Sequence, residues 1–415
     1  MKILKLPSYF YPEKISSSHL SNDLNDAYQK AGFSSEVYAP TPTRGVTDDI
    51  RKKYCKIKYE ELYNKSVTVR RFSMFREGKN PIIRAFRYVL INITHYFKGI
   101  YAKDIDIIMA GSTPPTQGVL CALVKKKLSK KYGRKVPFIY CLHDVFPDAL
   151  VNANMTKKGS LIWKIGRKIE DYTYNNADEI IVISEDIKAN ILAKGASSEK
   201  IHVIPNWIDV NAVKPIPRSE NKLFDELGLD REPFYVTYAG NLGTAQGIDT
   251  ILSAASILED RKDIQFVIFG GGVNKDNTEK KVSAMPNVKL FPLQPMDRVS
   301  EVYSLGNLSV VACKRGFGTG AVPSKTFSIM ATATPLCVSF DEDTELWRLV
   351  ENNDCGYVSP SDDAEKLASQ IIKAQSEQDI LSVKGENCRR LVINQFSKEI
   401  ATQHYIDLIN KTVNK

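Results

Sequence analysis

The sequence predicts an α/β protein of two doubly wound lobes, and three observations carry that expectation. Short apolar runs alternate with longer helical patterns almost from end to end, the rhythm of βαβ units in a parallel sheet. The series is interrupted between residues 205 and 233, where Pro205, Pro215, Pro217 and Pro233 surround a short charged segment. It then resumes, and at 415 residues the chain is too long for one ordinary core.

In the first lobe the candidate strands are 1–6, 35–39, 67–72, 105–109, 136–142, 179–183 and 202–204. Helical stretches lie between several of them, including 19–31, closed by Gly32, then 117–131 and 161–177. Within 81–101, Ile82, Phe86, Val89, Ile93, Phe97 and Ile100 recur every three or four residues, with Arg84, Arg87 and Lys98 beside them. That stripe fits a helix covering a sheet. A helix lying on a membrane surface, with its basic residues reaching headgroups, has the same pattern. The second lobe offers strands at 235–238, 265–269, 288–291, 308–312 and 336–339, a helix near 248–258 and a mostly helical end from 364 to 410. The expected division is therefore a first lobe at 1–205, a linker at 206–233 and a second lobe at 234–397.

Composition narrows the classes of function. Hydrophobic residues make up 43% and charged residues 25%, as in a globular protein, and the net charge of +9 is concentrated around 51–58, 70–87 and 125–135. Such a surface could meet nucleic acid, anionic lipid or phosphorylated substrates. The seven cysteines have no C-x-x-C spacing and several lie in apolar runs, so they read as buried thiols of a reducing compartment. No apolar run is long enough to span a bilayer, and the first residues lack the form of a secretory signal, so a cytoplasmic protein is expected.

Chemistry is expected where strands end. The loop after the first strand, SYFYPEKISSSHL, carries Ser16, Ser17 and Ser18 where a helix would begin, able to cap it or to meet a small anionic ligand. In CLHDVFPDALV, His143 and Asp144 close a strongly apolar strand, the position at which a site residue or a structural hydrogen bond is displayed. Asp148 is too near Asp144 in sequence to make with it the carboxylate pair of a glycosidase.

In the second lobe, YAGNLGTAQGIDTIL places Gly240, Gly243 and Gly247 at a strand-to-helix turn. The spacing only approximates the dinucleotide fingerprint and no acid ends the next strand, which disfavours a nicotinamide-dependent oxidoreductase. Gly270, Gly271 and Gly272 form a second backbone-exposing loop, suited to a base or a ribose edge. Finally Lys314 and Arg315 precede GFGTGAVPSKTFSIMATATP. There Gly316, Gly318 and Gly320 permit close approach of backbone to ligand, Ser324 is the expected helix cap, and Lys325 adds a charge in the first turn. Cations, a glycine loop and a helix start together describe a diphosphate site.

With YFYPEKISSSHL, GSTPPTQG, CLHDVFPDALV, VIPNWID, YAGNLGTAQGIDTIL, VPSKTFSIMATATPL and ENNDCGYVSP in this order, the chain resembles the retaining glycosyltransferases of family four. The likeness runs nearly from end to end and is nearest to the bacterial branch that transfers amino or deoxy sugars in capsule and O-antigen assembly. It implies the GT-B fold: two Rossmann-like lobes facing across a cleft, the last helix, 398–415, crossing back to join the first lobe. It implies a nucleotide-sugar donor, UDP-linked in the expected case, and a lipid-linked saccharide acceptor, with no nucleic acid as partner. The protein is then expected to be peripheral, on an anionic membrane surface at the inner face of the cytoplasmic membrane.

By position, the resemblance assigns the diphosphate to Gly240, Asn241, Leu242, Gly243, Thr244 and Lys325, with the backbone of Val322 and Ser324 helping. Gly271 and the run Pro292, Leu293, Gln294 would hold the base, and His143, with Asp144 beside it, would face the transferred sugar. Ser16 to Ser18 would close over donor or acceptor. No metal and no cofactor is expected. Two departures are visible. Gly320 and Ser328 stand where relatives carry an acidic pair, and Asn241 and Gln246 stand where many carry Arg and Lys, which moves the demand for positive charge to Lys314, Arg315 and Lys325. A nucleotide-sugar epimerase of the same fold, or a non-catalytic nucleotide-sugar-binding partner, are the alternative readings.

Overall fold

Each apolar run that is buried on both faces becomes a strand of a parallel sheet, and the chain builds two such sheets. The computed structural model describes residues 1–14, 18–78, 80–152, 155–320 and 322–415. It divides into unit 1, Met1–Pro205 with Thr402–Lys415, and unit 2, Asn206–Ala401.

Unit 1 holds β1 (Lys2–Lys5), β2 (Ser34–Pro40), β3 (Tyr59–Leu62), β4 (Val67–Phe72), β5 (Ile107–Gly111), β6 (Phe138–Leu142), β7 (Glu179–Val182) and β8 (Ile201–Val203). Their order is β3-β4-β2-β1-β5-β6-β7-β8. Neighbours run parallel except β3, which pairs antiparallel with β4 at the edge and has no counterpart among the sequence expectations. Unit 2 holds β9 (Phe234–Asn241), β10 (Ile264–Gly271), β11 (Val288–Phe291), β12 (Leu308–Ala312), β13 (Leu336–Phe340) and β14 (Gly356–Pro360), in the order β11-β10-β9-β12-β13-β14. The alternation along β9 shows why it is a strand. Val236 and Tyr238 enter one buried cluster while Tyr235 and Ala239 enter another, so each face of the sheet has its own core.

In both sheets the chain changes direction beside the first strand. β1 lies between β2 and β5, and β9 lies between β10 and β12. Loops leaving the carboxyl ends of such strands diverge, and the crevice between them is where open α/β sheets take ligands.

Two expectations need correction. Residues 206–233 are not a free linker but part of unit 2: Leu223 and Phe224 are buried in the same cluster as Val210, Val213 and Tyr235. Arg218 fastens the segment, donating to the carbonyls of Arg231 (2.6 Å) and Pro233 (2.6 Å) and to Asn307 Oδ1 (2.9 Å). The prolines shape a packed excursion rather than a spacer.

The second correction concerns helix Pro81–Ile100, which does not bury the expected stripe. Its inward row is Arg87, Ile91, His95 and Gly99, whereas Ile82 (77% exposed), Phe86 (58%), Val89 (53%), Ile93 (50%) and Phe97 (56%) face outward. The polar groups turned inward are partly accommodated there. Arg87 Nε donates to the Phe75 carbonyl (3.2 Å), and His95 Nε2 lies 2.9 Å from the Tyr38 carbonyl. Burial pushes the His95 imidazole down to about 3, so it is neutral. Arg87 is fully buried and does not reach a surface.

Helix Lys398–Val413 begins in unit 2, where Lys398 pairs with Asp209, and from Thr402 onward belongs to unit 1. Tyr405, Leu408 and Ile409 are buried there, and Lys415 pairs with Glu179. Six cysteines are buried thiols and Cys55 is exposed. Among the described residues no helix is long and apolar enough to cross a membrane.

Candidate functional site

In unit 2 three loops and a helix start converge at the carboxyl ends of β9, β10 and β12. The 242–247 turn is tied to its neighbours by backbone bonds, Leu242 N–H to the Gly271 carbonyl (2.7 Å) and Lys314 N–H to the Ala245 carbonyl (3.0 Å). Glycine is required at two of these points. Gly240 has φ +145°, and a β-carbon there would lie 2.9 Å from Lys325 Nζ. Gly270 lies so close to the Leu242 side chain that a β-carbon would approach it to 2.6 Å.

Lys325 is the centre of this arrangement. It stands in the first turn of helix Ser324–Ala331 and carries its Nζ back over the end of β9, 3.9 Å from the centre of the Tyr238 ring. Tyr238 is held in place by its own hydroxyl, which donates to the Asn241 carbonyl (2.8 Å). The Lys325 Nζ is buried and has no hydrogen-bond partner among the described residues; Thr326 Oγ1 in the same turn is in the same condition. Burial without an anion pushes the Lys325 ammonium down to about 7. A buried cation with nothing to bond is costly, and the ring face of Tyr238 offsets only part of that cost. An anion placed against Gly240 and the helix start would supply what is missing.

The other expected donor residues divide. Gly271 and Leu293 are neighbours, since a β-carbon on Gly271 would lie 3.3 Å from Leu293 Cδ1. Gln294 folds back to donate to the Pro292 carbonyl (3.1 Å), so 292–294 forms a compact exposed turn beside Gly271. Thr244 and Asn241 are exposed, and Ser328 is half-buried one turn beyond Lys325 on the same helix face. Leu242 is a correction: it is fully buried in the core with its N–H already bonded.

Ser324 is another correction. The cap position is taken by Pro323, Ser324 is the first helical residue, and among the described residues no side-chain hydrogen bond caps the helix. The glycine loop is also less open than expected. Gly316 N–H donates to both carboxylate oxygens of Asp341 (3.0 and 2.8 Å) and Gly318 N–H to one of them (2.9 Å). Those two N–H groups hold Asp341 and are not presented to a ligand. Arg315 is exposed and turned to the end of β14, its N–H on Asp362 (3.1 Å) and its guanidinium 3.5 Å from the Ser361 carbonyl. Lys314 is half-buried and Val322 buried. At Gly320 φ is +145°, a conformation side chains rarely adopt. At Ala333 φ is +54°, so this chain accepts a left-handed alanine.

In unit 1 the polar groups gather beside the switch between β1 and β5. Ser112, at the end of β5, is buried, and its Oγ accepts the N–H groups of His143 (3.2 Å) and Asp144 (3.4 Å). The segment after β6 is thereby fixed. Burial lowers the His143 imidazole from its ordinary range, with Asp144 opposing the shift. Asp148 is engaged by Lys194 (2.8 Å) and Asn190 (3.0 Å), and although burial raises its carboxyl those partners hold it below the usual range. Ser18 opens helix Ser18–Lys30 and its Oγ donates to the Glu13 carbonyl (3.1 Å). Ser16 and Ser17 lie outside the described residues. Glu13 is buried, and its carboxylate accepts the N–H groups of Phe10 (3.0 Å), Thr43 (2.7 Å) and Arg44 (2.9 Å), joining the loops after β1 and β2.

Four residues of these sites lie outside the sequence expectations. Ser112, Tyr238, Thr326 and Asp341 act through neighbours distant in sequence or through burial; the first three lay in the quoted motifs GSTPPTQG, YAGNLGTAQGIDTIL and VPSKTFSIMATATPL without a role assigned to them, and Asp341 lay in none. Among the described residues no three His, Cys, Asp or Glu stand together as metal ligands.

Residues 22–212 match the family described as Glycosyltransferase Family 4, and residues 219–394 match that described as Glycosyl transferases group 1. The chain is a glycosyltransferase. The glycosyltransferase is 26% identical over 307 residues to the probable glycosyltransferase WbjE of Pseudomonas aeruginosa, covering 73% of this chain and 74% of that one. It is 26% identical over 238 residues to the putative colanic acid biosynthesis glycosyl transferase WcaI of Escherichia coli, covering 56% and 58%. The fold is similar to that of HepE from Anabaena in complex with UDP and glucose, with a TM-score of 0.71, 15% identity, and 99% and 100% of the two chains covered. The two parallel-sheet units are those of GT-B glycosyltransferases.

Proposed function

We propose that this glycosyltransferase moves a sugar, with retention, from a nucleotide-diphosphate sugar to a lipid-linked saccharide in the synthesis of a bacterial surface polysaccharide. The observation that carries the reading is the buried, unpartnered Lys325 Nζ at the junction of Gly240, the Tyr238 ring and a helix N-terminus. Negative charge develops on the departing diphosphate as the glycosidic bond breaks, and a fixed ammonium in a dry setting stabilises that charge. The acceptor hydroxyl attacks the face the leaving group vacates and passes its proton to the departing phosphate oxygen, so no side-chain nucleophile, metal or cofactor is invoked. Gly271 and the 292–294 turn take the base, and unit 1 takes the acceptor, with His143 and Asp144 meeting the sugar.

Support for a UDP-linked donor comes from the UDP complex of HepE, and support for polysaccharide synthesis from the name of WcaI. An amino or deoxy sugar rests on the resemblance to the capsule and O-antigen branch. The protein works as a peripheral enzyme at the inner face of the cytoplasmic membrane.

Screening UDP-sugars by thermal shift identifies the donor, because a ligand that binds only the folded state raises its apparent stability. With that donor and a lipid-linked acceptor, Lys325→Ala is expected to lower kcat by about 10²–10³-fold while the protein stays folded. Unchanged turnover in Lys325→Ala would remove the assignment, and epimerised nucleotide sugar formed without acceptor would favour the epimerase reading instead.

A further inference from the structure

Helix Pro81–Ile100 is inverted: it turns Arg87 and His95 inward and presents Ile82, Ile83, Phe86, Val89, Ile93 and Phe97 to the outside. Tyr101, just beyond its end, is 72% exposed. An apolar row of about four turns on a helix surface is a docking face. The adjoining helix, Gln117–Tyr132, packs beside it closely enough that a β-carbon on Gly99 would meet Val124 at 3.1 Å. Between the two helices runs an apolar groove of about 280 Å³, floored by Leu120 and bordered by Ile93, Phe97, Val119 and Leu123.

Charge decides what covers this face. Neither helix contains an acidic residue, although together they carry three Lys or Arg in the first and five in the second. Arg87 is buried, Lys125 pairs with Asp178, and Lys131 donates to the Ile100 and Ala102 carbonyls. Lys126, Lys127 and Lys130 are exposed and Arg84 and Lys98 half-exposed, forming a cationic border to the apolar row. A second copy of this chain is a poor occupant, because a two-fold contact would oppose like charges with no carboxylate on either helix to relieve them. An anionic bilayer satisfies both parts, taking the apolar row among its acyl chains and the lysines against its phosphates.

We propose that the face formed by helices Pro81–Ile100 and Gln117–Tyr132 lies on an anionic lipid bilayer, with a lipid chain in the groove between them. The proposal rests on the peripheral, lipid-acceptor reading above and assigns it a surface. The test is sedimentation of the full chain with vesicles of phosphatidylcholine alone or with phosphatidylglycerol added. Binding is expected to the anionic vesicles, to weaken with added salt, and to fall about tenfold or more in both F86S/F97S and K126E/K127E. Circular dichroism and UDP thermal shift report whether each variant is folded and its donor site intact. Wild-type binding equal on neutral and anionic vesicles, no binding at all, or full binding by the folded variants would each overturn the proposal. So would a dimer in sedimentation equilibrium that F86S/F97S dissociates. Loss of the UDP response in the wild type would instead strike the donor reading and leave the vesicle result standing.

Discussion

Burial holds Lys325 near a pKa of about 7, whereas in the unfolded chain a lysine titrates at its ordinary value, about 10.4. Between those values the unfolded state binds more protons, so the ligand-free protein gains stability as pH rises from about 7 toward 10 and carries the full burden of the buried cation below 7. A bound diphosphate favours the charged form and raises the pKa again. Donor binding above pH 7 therefore takes up a proton, and affinity falls by up to about tenfold per pH unit until the raised pKa is passed. Calorimetry of UDP binding in two buffers of different ionisation enthalpy counts the proton, and in Lys325→Met the uptake is expected to vanish. The sequence made Lys325 legible because it sits in a glycine-flanked helix start. Its isolation was not legible, since that depends on Tyr238 and Gly240, brought to it by a strand about 85 residues earlier.

At the scale of an element, the loop between β12 and helix Ser324–Ala331 is shaped by Asp341, which stands at the end of the neighbouring strand β13. Hydrogen bonds to a charged acceptor are worth about 1.5–3 kcal/mol each. Asp341→Ala is accordingly expected to leave the sheets intact, loosen the loop and raise the donor KM about tenfold or more, measured by steady-state kinetics beside a thermal melt. An unchanged KM would mean that the loop's form is set by its glycines alone. The strands were readable because both faces of each sheet are buried, leaving continuous apolar runs. Edge strands β3, YEEL, and β14, GYVSP, were not, because a half-exposed edge has no such run. Helix Pro81–Ile100 misled for a related reason: periodicity identifies a helix and its apolar side, but not what that side meets.

For the whole molecule, the division into two units was visible in the repeated βαβ rhythm, while the 206–233 segment looked like a spacer because proline content does not reveal that Leu223 and Phe224 pack inward. The terminal stretch 402–415 completes unit 1 by burying Tyr405, Leu408 and Ile409. Each buried apolar side chain contributes about 1.5–3 kcal/mol, so deleting 402–415 is expected to lower the melting transition of unit 1. Unit 2 should keep its transition and its stabilisation by UDP, as read by scanning calorimetry; loss of both transitions together would show that the units are not separable in stability. Unit 1 is thus written in two pieces with unit 2 between them, and this bears on the order of events during synthesis. When residue 401 has left the ribosome all of unit 2 is present, but the first-made sheet still lacks its last helical segment. Unit 1, begun before unit 2, is therefore enclosed after it, and the nascent chain keeps part of unit 1's apolar surface uncovered until 402–415 has emerged.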